Sequence, residues 1–412
     1  MSTHSDISMT VLRLLAECGR VSRRTFDILP FSYRNTCVYL KKLVDHKRVS
    51  LSGVGNSKSY ILLENGRKTL SAYNPKRYTQ ELFSLGKMQI KHAKRSRRRG
   101  DASAMMSLSG FAVHPDDKPV LPAFTPHPPD QQYGGLRDLF QNDEPHPYDQ
   151  MIPNRAVYRK YHTPINCYYD SIQLKNLRDS ACKNGVNYSR ACGVLITPSN
   201  LFRVYHSRDV AMRFYKTGEE NMSALTLSAF TGYVPNDKTG ILVFGQEWLA
   251  AQSILDIYLR GKKIIPSKDD LTGEILSTTN LGNPLFYLPM RRESPELLRL
   301  MRFPDWRKSL MLFASTSHAG CSQTNWNYNY EGRQVFIIAD LSLTHLAILL
   351  RGMMRSPREP ITLICLPWQL DIIQNLAQEY GSKANVQITP LPDHFMNDLL
   401  ANLKNHWGKI ID

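Results

Sequence analysis

Nine prolines fall between His114 and Pro153, at positions 115, 119, 122, 126, 128, 129, 145, 147 and 153, and no other stretch limits the fold as much. Proline has no backbone N–H to give a ladder and clashes with the preceding helical turn, so this density denies both helix and central strand. Residues 101–150 also carry 8 acidic against 2 basic side chains. Segment 114–154 therefore reads as a linker, or as an acidic arm wrapped on the surface, that separates a head from a body. A chain of 412 residues has room for two or three domains and a substantial core.

The head, residues 1–78, reads as helix, helix, helix, hairpin. Met9 to Cys18 places Val11, Leu12, Leu14 and Leu15 on an apolar stripe and stops at Gly19. Ser22 is placed to cap a second helix that runs through Phe26 to Leu29 before Pro30. A third starts at Ser32, with Cys37, Leu40, Leu43 and Val44 toward the core and Arg34, Asn35, Tyr39, Lys41 and Lys42 outward. Val49–Ser52 and Ser59–Leu63 then read as strands joined by a small polar tip that holds Asn56 and Lys58, and Arg67–Tyr73 as a short closing helix.

This order resembles the winged-helix DNA-binding domain. The resemblance implies that the third helix enters the major groove, where arginine and asparagine read base edges, while Asn56 and Lys58 lie against the phosphate backbone. Winged helices also serve as protein-interaction modules, in which a basic helix face is simply solvated.

The charge distribution bears on that choice. The chain has a formal net charge of +16, and residues 1–100 alone hold 21 Lys and Arg against 6 Asp and Glu. The basic helical segment 79–113 packs Lys91, Lys94, Arg95, Arg97, Arg98 and Arg99 into nine positions. Such a run suits a solvated surface, a localisation signal or a second phosphate-contacting element, and next to a basic head phosphate contact is the reading we favour.

Other classes are disfavoured. No apolar run reaches the roughly 18 residues of a membrane span. The N-terminus lacks the pattern of a secretory signal, and the seven cysteines are scattered without a Cys-x-x-Cys pair. A reducing cytoplasm is expected, with neither a disulfide framework nor a structural zinc site.

The body, residues 155–412, is predicted to be α/β. Ala191–Thr197 and Leu201–His206 read as a hairpin, and Ile241–Gly245 as a strand followed by a helix at Gln246–Leu259. After a strand at Leu285–Leu288 and helices at Ser294–Met301 and Trp306–Phe313, the alternation becomes regular. Strands at Val335–Leu341, Ile361–Leu366 and Val386–Leu391 are interleaved with helices at Ser342–Met354, Trp368–Tyr380 and Asp393–Trp407. This pattern predicts a parallel or mixed sheet covered by helices, and a multidomain chain of the α+β or α/β class.

The body carries no P-loop, no dinucleotide fingerprint and no nucleophile elbow, so neither ATP nor NAD is expected. A two-metal nuclease needs carboxylates converging on strand ends with a lysine nearby. The residues that come into question are Asp340, at the end of a buried strand, and Lys216, Glu219 and Glu220 after the hairpin. A carboxylate at that place commonly caps the next helix, for which Ser342 is an equally good cap. Tyr168 and Tyr169 read as core, and His127 and His146 as exposed loop residues.

The winged-helix head, the His92-x-x-Arg95 element, the Gly193–Ile196 strand and Val204-Tyr205 together resemble the replication-relaxation proteins of Gram-positive plasmids and integrative elements. That resemblance implies a restriction-endonuclease-type second domain, with an Asp just before the first strand and a Glu in the second. Cys192-Gly193 and Val204-Tyr205 stand in those places, which implies a body that keeps the fold without the reaction. The expected function is sequence-specific binding of double-stranded DNA in replication or transfer of a bacterial mobile element, or in their regulation. No metal, cofactor or membrane is involved on this reading, and the body is left to hold a protein partner, a second copy or more DNA. The alternatives are a metal-dependent nuclease or nickase using Asp340, and a structural interaction protein.

Overall fold

The computed structural model describes residues 4–53, 58–79, 93–118, 166–175, 189–207, 218–219, 222–223, 226, 239–245, 248–260, 284–355, 359–380 and 385–411. Among the described residues the chain is mixed α/β, with one three-stranded antiparallel sheet in the head and two mixed sheets in the body.

In the head, α1 (His4–Cys18) ends at Gly19, whose φ of 76° is the left-handed value that favours glycine. A two-residue strand β1 (Val21–Ser22) follows, then α2 (Tyr33–Asp45), β2 (Val49–Ser52), β3 (Ser59–Leu62) and α3 (Glu64–Tyr73). The predicted second helix is a tighter 3-10 turn over Arg23–Ile28. The sheet order is β1-β3-β2, and β1 is not foreseeable from the sequence because two residues carry no alternation to read. Val11, Leu12, Leu15, Phe26, Leu40, Leu43 and Leu62 form the core of this unit.

The body's first sheet runs β4 (Cys167–Asp170), β5 (Gly193–Ile196), β6 (Leu201–His206), β7 (Thr239–Gly245) and β8 (Leu285–Pro289) in spatial order, with the short helix α5 (Ser171–Lys175) after β4. The pairings β4 to β5 and β5 to β6 are antiparallel, whereas β6 to β7 and β7 to β8 are parallel. Successive residues of β7 face opposite layers. Ile241 and Val243 pack with α6 (Leu249–Arg260), α9 (Leu343–Arg355) and α10 (Leu370–Tyr380). Leu242 and Phe244 pack with α7 (Ser294–Leu300), α8 (Trp306–Ala319) and α11 (Phe395–Ile411). A strand buried on both faces has no polar alternation, which explains its continuous apolar run.

The second sheet has the order β12-β11-β10-β9, from Asn385–Pro390, Pro360–Cys365, Arg333–Ile337 and Asn327–Tyr330. Strands β10, β11 and β12 are parallel, and β9 folds back on β10 through Glu331 and Gly332, both at positive φ. The two sheets are stitched where Tyr287 donates its N–H to Leu341 O at 3.2 Å. Leu341 sits at a φ of 52°, a strained value for a bulky side chain. Asp340 holds this turn: its carboxylate accepts from Ser342 N at 3.0 Å and pairs with Arg307 Nη2 at 2.7 Å.

Head and body share one helix. The helix α4 (Ala93–Leu108) buries Ala104 in the head core and Ala102, Met105 and Met106 in the body core. Small residues permit the approach: a Cβ on Gly100 would lie 1.9 Å from Arg20 O. Next to it, the Asp101 carboxylate accepts from Ser22 N at 2.6 Å and Thr25 Oγ1 at 2.8 Å, both on the head. From the body, His206 Nε2 on β6 lies 3.9 Å away. Segment 79–113, expected as a separate basic element, is thus in its described part an interior wall of both units. Residues 114–118, expected as the start of the linker, are docked. Arg77 donates to both Asp117 oxygens at 2.9 and 2.6 Å, and Lys118 Nζ donates to Val113 O, Tyr168 O and Gln173 Oε1. Residues 119–153 lie outside the described residues.

Burial pushes the Asp101 carboxyl up to about 7, against the opposing hydrogen bonds from Ser22 and Thr25. The folded chain therefore keeps a proton that the unfolded chain releases at ~3.9, and the native state loses stability as pH rises through that window. Asp101→Asn keeps an acceptor without the charge. Its stability relative to the unmodified protein is expected to rise between pH 5 and 8, read from urea midpoints, and a difference independent of pH would refute this. Burial displaces His206 in the opposite direction, down to about 4. For the sheet junction, Arg307→Ala leaves Asp340 fully buried without its cation and is expected to cost ~3 kcal/mol in the same measurement. A cost below ~1 kcal/mol, as for an exposed pair, would show that the junction does not depend on it.

Candidate nucleic-acid interface

A group of exposed cations of the head lies on α2 and the turn before it. Ser32 caps α2 by accepting from Asn35 N at 3.2 Å, which satisfies one of the orphan donors of the first turn. Thr36, Tyr39, Leu40 and Leu43 recur at i, i+3, i+4 and i+7 and are buried. The opposite face presents Tyr33, Arg34, Asn35, Val38, Lys41 and Lys42 to solvent. Arg23, on the preceding turn, extends it: its Nη2 donates to Tyr33 Oη at 2.7 Å, with the guanidinium 5.8 Å from the Tyr33 ring centroid.

Tyr39, expected to point outward, does not. It is 9% exposed, and its ring supports the Lys42 ammonium, whose Nζ is 4.9 Å from the centroid. The buried stripe begins at Thr36, one position before Cys37. In a sequence a threonine does not mark a core position and a cysteine does, so a stripe phased on Cys37 is turned by one residue. The same shift hides Tyr33 and Val38, 57% and 44% exposed, from a reading of the sequence.

Of the tip residues, Lys58 is exposed and Asn56 lies outside the described residues, as does Lys91. The basic run divides. Lys94 is exposed, but Arg95 is half-buried and donates to Ser189 O at 3.0 Å. Arg97 and Arg99 are 2% and 8% exposed, and Arg99 pairs with Asp170 at 3.4 Å. Arg98 is half-buried, and burial pushes it down, as it does Arg95. The expected phosphate-contacting face on Arg95 to Arg99 is therefore corrected: these side chains are turned inward, because α4 is an interior helix.

The remaining chemical candidates are dispersed. Asp340 is fully buried and engaged by Arg307 and Ser342, while His345 stacks on Trp326 at 4.0 Å beside Arg307. Glu219 is buried and accepts from Ser189 Oγ, Arg190 N and Tyr205 Oη at 3.0, 2.6 and 2.6 Å. Tyr168 and Tyr169 are core residues of β4. Lys216, Glu220, His92, His127 and His146 lie outside the described residues. Among the described residues no group of three His, Cys, Asp or Glu side chains is arranged to hold a metal ion, and no helix is long and apolar enough to cross a membrane. Comparison with protein-family models, with curated proteins and with solved structures found no match to this chain.

Proposed function

We propose that residues 1–78 are a winged-helix domain and that the chain binds double-stranded DNA through α2. The supporting observation is the exposed face of that helix, where Arg34, Asn35, Lys41 and Lys42 surround Val38 while the opposite face is fixed in the head core. Arg34 and Asn35 sit in the first turn of α2, the part of a recognition helix that meets base edges, and Val38 suits contact with a thymine methyl. Lys41, Lys42, Arg23 and Lys58 supply phosphate contacts around it. The body would hold a protein partner or a second copy. A mobile-element setting, in replication or transfer, rests on the resemblance carried by the head and by the hairpin of β5 and β6. Asp340, which the nuclease alternative needs, is occupied in stitching the two sheets together.

Fluorescence anisotropy of labelled duplexes with the intact chain tests this reading. The double variant Arg34→Ala, Lys41→Ala is expected to bind at least about tenfold more weakly, since each charged contact is worth ~1 kcal/mol or more. Its log-log salt dependence is expected to flatten by about 0.9 for each phosphate that is no longer neutralised. Lys308→Ala, on the exposed surface of α8, is expected to change neither. Equal affinity of the double variant, or no duplex binding at low salt, would remove the proposal.

A further inference from the structure

A cavity of about 520 Å³ opens where the head meets the body. Its head wall is the 3-10 turn between β1 and α2, which contributes Arg24 and Asp27. Its body walls are the start of α6 with Trp248 and Gln252, the turn after β8 with Met290 and Arg291, and one side of α10. The floor is thus the carboxyl edge of the parallel strands β7 and β8. Crevices there are the usual ligand sites of α/β sheets, because helix starts and loop N–H groups converge on them.

The lining has two characters. Trp248, Met290, Ile372 and Leu376 give it an apolar side, with the Trp248 ring held edge-on to Tyr287 at 5.3 Å. The buried Trp248 Nε1–H has no acceptor among the described residues. The other side is polar and of mixed sign: Arg24 and Arg291 for an anion, Gln252 and Asn375 with amides, and carboxylates at Asp27, Asp371 and Glu379. No hydrogen bond or ion pair of the Arg291 guanidinium is found among the described residues, whereas Glu379 accepts from Gln252. An inorganic anion would leave the apolar side empty, and a purely apolar ligand would leave the polar side unused.

We propose that this cavity binds a nucleotide, with the planar base against Trp248, the phosphate on Arg291 and Arg24, and amides and carboxylates taking the base edge and sugar hydroxyls. The chemistry matches group by group: an aromatic wall for a π-face, guanidinium for phosphate, and side-chain amides and carboxylates for donors on base and sugar. The ligand is either a free nucleotide or an unpaired nucleotide of a nucleic acid. The wall that carries Arg24 leads into α2. The neighbouring Arg292 already ties that wall to the body by donating to Leu29 O and Phe31 O.

Isothermal titration calorimetry of the intact chain, without duplex DNA, tests the proposal. The titrants are the four ribonucleoside 5′-monophosphates, inorganic phosphate and a short single-stranded oligodeoxynucleotide. Arg291→Ala and Asn375→Trp, both at exposed positions, are compared with the unmodified protein after matching their thermal melting. Saturable binding of at least one monophosphate is expected, about tenfold weaker in Arg291→Ala and at least as much weaker in Asn375→Trp, where the indole intrudes on the cavity. Binding of the oligonucleotide alone, weakened in the same way by both variants, supports the site and assigns its source to an unpaired nucleotide. No binding of either, phosphate binding as tightly as the nucleotides, or variants that bind unchanged would overturn it. Duplex affinity through α2 is measured separately, so a failure here leaves that reading standing, and the reverse.

Discussion

The contact on which the arrangement depends is the one between α4 and the turn that opens the head's 3-10 segment. Gly100 meets Arg20 O with no space for a side chain, and one residue on, the Asp101 carboxylate takes Ser22 N–H and the Thr25 hydroxyl out of water. The two favour each other. Close approach excludes solvent and makes each hydrogen bond electrostatically stronger, while the bonds fix the register in which the approach is possible. Ala102, Ala104, Met105 and Met106 then divide between two cores, so head and body are packed on opposite sides of a single helix.

Much of the secondary structure is legible in the sequence because the body's elements are long and strongly patterned. The hairpin of β5 and β6 and the alternation from β10 to α11 stand within a few residues of where the apolar runs and their breaks put them. Elements that are too short or too polar escape such a reading. The strand β9, Asn-Tyr-Asn-Tyr, is an exposed edge whose alternation is between amide and phenol, and β1 is two residues long. The strand β4 reads as core aromatics without a strand assignment, since Cys-Tyr-Tyr-Asp is buried on both faces and does not alternate.

The candidate site is half legible, for a reason that lies in side-chain anatomy. Arg34, Asn35, Lys41 and Lys42 are placed by the helical period alone, and they stand on the exposed face where that period puts them. The basic run of α4 misleads because charge is normally a sign of solvent, and a cluster of arginines on an interior helix is recognisable only from its partners: Asp170 from β4, and the carbonyl of Ser189 before β5. Their long aliphatic stems bury while the head groups find polar company from distant sequence. No local window contains that information.

The shared helix has a consequence for how such a protein comes into being. Residues 4–73 leave the ribosome before α4, so the head surface that α4 meets at Arg20, Ser22 and Thr25 is at first open to water. The piece that covers it is synthesised later, and the same piece then has to wait for the first strands of the body. Assembly is therefore interlocked, each half completing the other. A head cut out and moved to a new protein would arrive with an open seam. Transfer of this head to another chain is closed unless α4 travels with it.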